Sequence, residues 1–225
     1  MRTPQAILWD MDGTLIDSEP YWQQAEFDLV AQHGGVWTMD DALNLVGYDL
    51  HDAAKVLQHH GVDLEVDKIV NFLITTVSTR ISRHVPWRDH AAETLAWVRH
   101  QRIPCALVTM SHTPIAQTFV DSAPHGTFDA VITGDMVPQG KPHPDPYVMA
   151  ARTLGVDVTE CIAIEDSPTG ITSAMAAGAR TIAIQAIIPV QPRPHLSRIQ
   201  ELDQLTPSVL DVVMHGATID FFTPG

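Results

Sequence analysis

Two carboxylates, Asp10 and Asp12, stand two residues apart in Asp10-Met11-Asp12-Gly13-Thr14, directly after the apolar run Ala6–Trp9. Acids at that spacing can attack an electrophile, shuttle a proton or hold a divalent cation. An EF-hand calcium loop is a poor match, because glycine is fourth rather than sixth and the twelfth residue is Tyr21 rather than glutamate. A plain strand-to-turn junction also fits, since Asp and Gly both favour turns. A second acidic pair, Glu165-Asp166, follows Cys161–Ile164, and Thr109 follows Cys105–Val108. Placed before Ser167-Pro168, those acids also suit a helix N-terminus, and Thr109 suits a strand by propensity alone. Only three lysines occur, Lys55, Lys68 and Lys141, and the last sits in Gly140-Lys141-Pro142-His143-Pro144. Lysine is commonly a solvated surface cation; scarcity and the proline flanks point to a fixed role here.

Positioning such groups requires elements, and the pattern supplies them. Ala6–Trp9, Cys105–Val108 and Cys161–Ile164 read as buried parallel strands, with Ala130–Thr133 and Thr181–Gln185 as two more. Thr113-Pro114, Asp145-Pro146, Ser167-Pro168 and Thr206-Pro207 each place a capping side chain before a proline suited to a first helical turn. Gly155, Gly178 and Gly216 fall where helices would stop. The expected fold is therefore α/β, a Rossmann-like parallel sheet with helices on both faces. Ligands of such sheets bind beyond the carboxyl ends of the strands. That rule brings Asp10, Asp12, Thr109, Glu165 and Asp166 into one crevice.

Residues 19–83 differ, with apolar residues at helical spacing (Trp22, Ala25, Leu29; Val66, Ile69, Val70, Leu73, Val77, Ile81) and no convincing strand. An all-helical domain inserted after the first strand is expected there, with residues 1–18 and 84–225 forming the α/β core.

The formal charge of −14 argues against nucleic acid and anionic membranes as partners. Attraction of an anionic substrate then has to be local. No apolar stretch is long enough to span a bilayer; the best, 181–190, is short and interrupted by Gln185. A cleaved signal peptide is not expected, because cleavage would remove the Asp10 motif. Cys105 and Cys161 read as small core thiols, and a reducing, cytoplasmic setting is the default. Twelve histidines suggest metal, but adjacent His59 and His60 on a helix point different ways. His112 and His143 lie near the candidate site residues and are kept as supporting groups.

The longer string Asp10-Met11-Asp12-Gly13-Thr14-Leu15-Ile16-Asp17-Ser18 resembles the first signature of the haloacid dehalogenase-like superfamily, in particular its β-phosphoglucomutase-like group of sugar phosphatases. Thr109-Met110-Ser111 resembles the second motif, Gly140 to Pro144 the third and Ile164-Glu165-Asp166-Ser167-Pro168-Thr169-Gly170 the fourth. The resemblance implies a Mg2+-dependent phosphatase acting on a small phosphorylated metabolite, a sugar or sugar-alcohol phosphate. It makes Asp10 the nucleophile that becomes an aspartyl-phosphate and Asp12 the general acid and base. Asp12 must then be protonated at the first step, which crowded carboxylates favour. Mg2+ would be held by the Asp10 carboxylate, the Asp12 backbone carbonyl and Asp166. Glu165 would orient the site from outside, while Thr109, Met110 and Lys141 bind phosphate.

By the same resemblance the helical insertion is a cap that closes over the site, with Tyr48, Asp49 and His51 as candidate substrate contacts. A solvated loop is the competing account of those three. Mutases of the group carry a lysine and an arginine in the cap where this chain has Val46 and Leu50, so hydrolysis is preferred to a sugar phosphomutase. A catalytically idle phospho-ligand sensor is the alternative from another class, opposed by the intact Asp10, Asp12, Lys141 and Asp166. Monomer or weak dimer is the expected state. The family's strand order would place Cys105 and Cys161 two strand spacings apart, about 9–10 Å, too far for a disulfide.

Overall fold

The computed structural model describes residues 1–46, 48–185 and 189–222. The chain divides into two compact units, one of residues Met1–Asp17 with Trp87–Gly225 and one of Ser18–Pro86.

The first unit holds a parallel sheet of β1 (Ala6–Trp9), β2 (Cys105–Val108), β3 (Ala130–Ile132), β4 (Cys161–Glu165), β5 (Arg180–Ile184) and β6 (Leu196–Ile199). Their order is β3-β2-β1-β4-β5-β6, so the first strand is central. β1, β2 and β4 are buried along their whole length. That is why each reads as an unbroken apolar run rather than an alternation. Helices α5 (Ala91–His100), α6 (Thr113–Ser122), α7 (Asp145–Leu154), α8 (Pro168–Ala177) and α9 (Pro207–Met214) complete this unit. Small residues dominate one face of the sheet: Ala6, Ala106 and Ala163 pack with Tyr147, Ala150 and Ala174. Short side chains on both layers bring α7 and α8 close to the strands.

Ile7 pairs with Cys105 on one side of β1, and Ala6 pairs with Cys161 on the other. Both cysteines are free and buried, separated by that strand, and burial pushes each thiol up to about 11.

Two helix starts are as expected. Ser167 accepts from the Gly170 N–H at 3.0 Å and Thr206 from the Val209 N–H at 3.3 Å. Two differ. α6 is preceded by His112 and α7 by Pro144, so Thr113 and Asp145 are the first helical residues rather than caps. The Thr113 hydroxyl bonds Thr133 and Asp135 instead, and that tertiary contact wins over the local one. β6 was not expected at all. Its Leu-Ser-Arg-Ile sequence is polar in the middle, yet every residue is buried. Arg198 enters the interior because Asp220 takes its guanidinium at 2.6 Å and the Val190 carbonyl at 2.8 Å.

The second unit is four helices, α1 (Glu19–Gln32), α2 (Met39–Leu45), α3 (Leu50–His59) and α4 (Val66–Arg83), inserted after β1. Ala25 and Leu29 of α1, Ala54 and Leu57 of α3, and Ile69, Leu73, Val77 and Ile81 of α4 are buried. Their recurrence at three and four residues puts each set on one helix face. α2 starts with a capping box: Thr38 accepts from the Asp41 N–H, and the Asp41 carboxylate accepts from the Thr38 N–H.

Within this apolar interior lies Glu26, only 7% exposed, with Oε2 lacking any partner. Burial, with repulsion from Glu19, raises its pKa from 4.5 to about 7. The unfolded chain therefore loses this proton near 4.5 while the folded chain keeps it until about 7. Stability falls as pH rises through that window. Glu26→Gln should be more stable than the parent protein by about 2 kcal/mol at pH 8 and by little at pH 4.5. Urea denaturation at the two pH values checks it; an equal effect at both would mean that charge is not the cause.

Candidate active site

Asp10 is the first residue past β1, and its N–H still pairs with the Ile164 carbonyl of β4 at 3.0 Å. Thr109 occupies the same place past β2, bonded to the Ile132 carbonyl at 2.9 Å. Glu165 ends β4 and Asp166 follows it. Lys141 reaches in from the loop before α7. All therefore meet beyond the carboxyl ends of adjacent strands.

The Lys141 ammonium is the hub. It donates to Asp10 Oδ1 at 2.7 Å, Glu165 Oε1 at 2.6 Å and the Val108 carbonyl at 2.9 Å, with its side chain 4% exposed. Three hydrogens meet three acceptors. Burial alone would favour the neutral amine, but Asp10 and Glu165 outweigh it and hold the pKa of Lys141 above its ordinary value.

Glu165 is fully buried. Its Oε1 also accepts from the Tyr147 hydroxyl at 2.7 Å. Its Oε2 accepts from the N–H of Asp166 at 3.1 Å and of Ser167 at 3.3 Å. A Cβ added at Gly170 would collide with this carboxylate, so the turn into α8 has room for Glu165 only because residue 170 has no side chain. Both oxygens of Glu165 are thus committed to protein donors.

Asp10 is different. Oδ1 is taken by Lys141, while the buried Oδ2 has no partner. Ligand atoms of Asp10, Glu165 and Asp166 lie within 4.8 Å of one another, the one such acidic group found among the described residues. Burial raises Asp10 to about 7, with Glu165 and Asp12 adding to the rise and Lys141 opposing it. Asp166 is raised by burial and by its neighbours Asp10 and Glu165. Buried carboxylates are expensive unless a cation accompanies them, and here one ammonium serves three. An orphaned Asp10 oxygen beside the Asp166 carboxylate fits a hard divalent cation, which takes oxygen ligands and retains few protein carboxylates.

Asp12 is held by hydroxyls. Its Oδ2 accepts from Ser111 Oγ at 2.7 Å and Thr109 Oγ1 at 3.2 Å. Thr109 Oγ1 accepts in turn from the Ser111 N–H at 3.0 Å, which fixes the direction of its own hydrogen. Met110, between them, is 38% exposed. Its sulfur accepts from the Lys141 N–H at 3.4 Å, and a Cβ at Gly140 would collide with its methyl group. The thioether therefore seats the loop that carries Lys141.

Of the residues picked out by sequence, Asp10, Asp12, Thr109, Lys141, Glu165 and Asp166 are brought together, with Met110 adjoining. Ser111 and Tyr147 join them, each through a hydroxyl that donates to a site carboxylate. Ser111 was signalled by its place two residues after Thr109. Tyr147 carried no signal, since one aromatic on a helix reads as core. In the helical unit, Tyr48 is 54% exposed. Asp49 caps α3 by accepting from the His51 N–H at 2.8 Å, and the His51 ring stands 3.5 Å from the same carboxylate. Gly47, in the same segment, lies outside the described residues. His112 precedes α6, and His143 Nδ1 accepts from the Asp145 N–H at 3.3 Å.

Comparison with known proteins decides the family. The family model described as haloacid dehalogenase-like hydrolase matches residues 7–184. The chain belongs to the haloacid dehalogenase-like hydrolases. Hexitol phosphatase B of Escherichia coli (strain K12) is 32% identical over 200 residues, covering 83% of this chain and 87% of that protein. Fructose-1-phosphate phosphatase of the same strain is 27% identical, covering 80% and 96%. Among solved structures, CbbY from Rhodobacter sphaeroides in complex with phosphate superimposes with a TM-score of 0.73 at 26% identity, covering 82% and 87%. The match of the family model ends at Ile184, the last residue of β5, and so includes all four motifs. No helix of this hydrolase, among the described residues, is long and apolar enough to cross a membrane.

Proposed function

We propose that this chain is a Mg2+-dependent phosphatase that removes phosphate from a small sugar or sugar-alcohol phosphate by way of an aspartyl-phosphate on Asp10. The observation that carries the reading is the Asp10 carboxylate, gripped at one oxygen by Lys141 and unpartnered at the other, buried beside Asp166. Relatives with hexitol phosphatase and fructose-1-phosphate phosphatase activity in their names support the substrate class.

In the first step the Asp10 carboxylate attacks phosphorus. The bond to the ester oxygen breaks, and that oxygen takes the proton of Asp12. In the second, water gives a proton to Asp12 and its oxygen attacks phosphorus, returning the Asp10 carboxylate and free phosphate. Thr109 and Ser111 hold Asp12 by one oxygen and so aim its proton. Lys141 orients Asp10 and spreads positive charge toward the transferring oxygens. Glu165 holds Lys141 and, through the backbone of Asp166, the turn that presents that carboxylate. Mg2+, held by Asp10 and Asp166 with the Asp12 carbonyl, would neutralise carboxylate and phosphate charge so that the two can approach.

Incubation of hexose, pentose and hexitol monophosphates with Mg2+ should release phosphate, and EDTA should stop it. No release from any member would remove the proposal. A mutase would instead need a bisphosphate activator and yield an isomer; Val46 and Leu50 speak against it. We assign the choice of substrate to the helical unit, with Tyr48, Asp49 and His51 as the contacts to vary.

The raised carboxylates give the metal a pH dependence. A cation at Asp10 must displace a proton held up to about pH 7. Apparent Mg2+ affinity should therefore rise roughly tenfold per pH unit below 7 and level off above it. Calorimetry at pH 6, 7 and 8 in buffers of different ionisation enthalpy checks this through the protons released. Affinity independent of pH would show that the carboxylates ionise before the metal arrives.

A further inference from the structure

Arg88 lies outside the four motifs. Its side chain reaches two backbone carbonyls, donating from Nη1 to Gly13 O at 2.7 Å and from Nη2 to Gln185 O at 2.7 Å. Its own N–H donates to Leu15 O at 2.9 Å, and Trp87 before it pairs with Ile16 in an antiparallel bridge. The chain segment entering α5 is thereby tied along the loop that follows Asp10.

The positions of the two carbonyls matter. Gly13 lies past the end of β1 and Gln185 immediately past β5, and in the sheet β4 runs between those strands. β4 is the strand that delivers Asp166. One planar guanidinium thus grips the chain on both sides of it, a task for a rigid fork of donors rather than a point charge. Gly13 adopts φ +87°, and a Cβ added there would collide with the Asp166 carboxylate. The Gly13 backbone therefore rests directly against Asp166, and displacing the loop displaces the Asp10–Asp166 spacing. Thr14 Oγ1 also reaches Asp166 from this loop, and at 3.5 Å it is too long to hold the carboxylate alone.

We infer that Arg88 is a positioning residue: by clamping Gly13 to the end of β5 it sets the separation of Asp10 and Asp166 at which a divalent cation binds. The inference rests on the reading of those two carboxylates as metal ligands. Outer groups that fix ligand geometry are worth about 10- to 100-fold in metal affinity.

The test compares parent protein, Arg88→Ala, Arg88→Lys and Asp166→Asn, with binding of Mn2+ in the absence of substrate read by electron paramagnetic resonance of the free ion. Arg88→Ala should weaken Mn2+ about tenfold or more and raise the Mg2+ concentration for half-maximal hydrolysis of p-nitrophenyl phosphate in parallel. Arg88→Lys should recover part of the loss, and KM at saturating Mg2+ should change less than about twofold. Unchanged Mn2+ affinity in Arg88→Ala, with binding lost in Asp166→Asn, would overturn the role of Arg88 and leave the metal site standing. Unchanged binding in Asp166→Asn would overturn the metal site itself. Should the alanine variant fail to fold, Arg88→Gln and Arg88→Lys carry the same readout, and parent-like Mn2+ affinity in both would equally overturn the role.

Discussion

Asp10→Asn is expected to lower phosphate release by about 10⁴-fold or more, the scale on which removing a covalent nucleophile acts. Asparagine has nearly the shape of aspartate, and its carbonyl oxygen still accepts from Lys141, so the buried network loses a charge without losing a contact. The sign of the stability effect is set by the same charge. Asp10 takes up its proton at 3.8 when unfolded and at about 7 when folded. Without metal, its contribution to stability is greatest below 3.8 and declines as pH rises through 7. Metal-free Asp10→Asn should therefore melt higher than the parent at pH 8 and no higher at pH 4. Added Mg2+ should raise the melting temperature of the parent more than that of the variant. Calorimetric melting and phosphate release on the same preparations check both halves. Retained hydrolysis would remove Asp10 as nucleophile, and a lower melting temperature at pH 8 would mean that the carboxylate is stabilised by its surroundings.

Lys141→Met should be the most destabilising change in the core unit. The ammonium is the shared partner of Asp10 and Glu165 at 2.7 and 2.6 Å in a nearly closed site. Methionine fills the volume but leaves two buried carboxylates facing each other and Asp166. Breaking a buried pair by removing one partner costs about 3–5 kcal/mol. At pH 8 the loss should be of that size, and it should shrink toward pH 5, where Asp10, raised to about 7 by burial, is neutralised by a proton instead. Denaturant titration at both values checks it. A loss independent of pH would place the cause in packing. Hydrolysis should fall about 10³-fold even where the variant is folded, because among the described residues Lys141 is the cation that pairs with Asp10 Oδ1.

Both predictions concern residues that the sequence singled out. The reason lies in the sheet. A strand buried on both faces must be apolar throughout, so Ala6–Trp9, Cys105–Val108 and Cys161–Ile164 stand out, and the first polar residue after each marks where chemistry is placed. β6 escaped notice because burial of Arg198 depends on Asp220, 22 residues away. Thr113 and Asp145 open their helices rather than cap them, and a Thr-Pro or Asp-Pro pair carries no record of whether the helix begins on the residue or after it. Ser111 was within reach of the sequence. Tyr147 was not, because only the tertiary fold brings its hydroxyl to Glu165 at the end of β4.

The class of fold, the four motifs and the scarcity of lysine that makes Lys141 conspicuous are legible without coordinates, since these depend on local periodicity and residue chemistry. The tertiary structure alone decided how charge is shared. Lys141 is divided between Asp10 and Glu165, Glu165 is saturated by donors, one oxygen of Asp10 is left over, and Arg88 spans the strand that carries Asp166. Hydrogen bonds and ion pairs act over about 3 Å, and the partners that the Lys141 and Arg88 side chains meet at that range are separated from them by 24 to 131 positions along the chain.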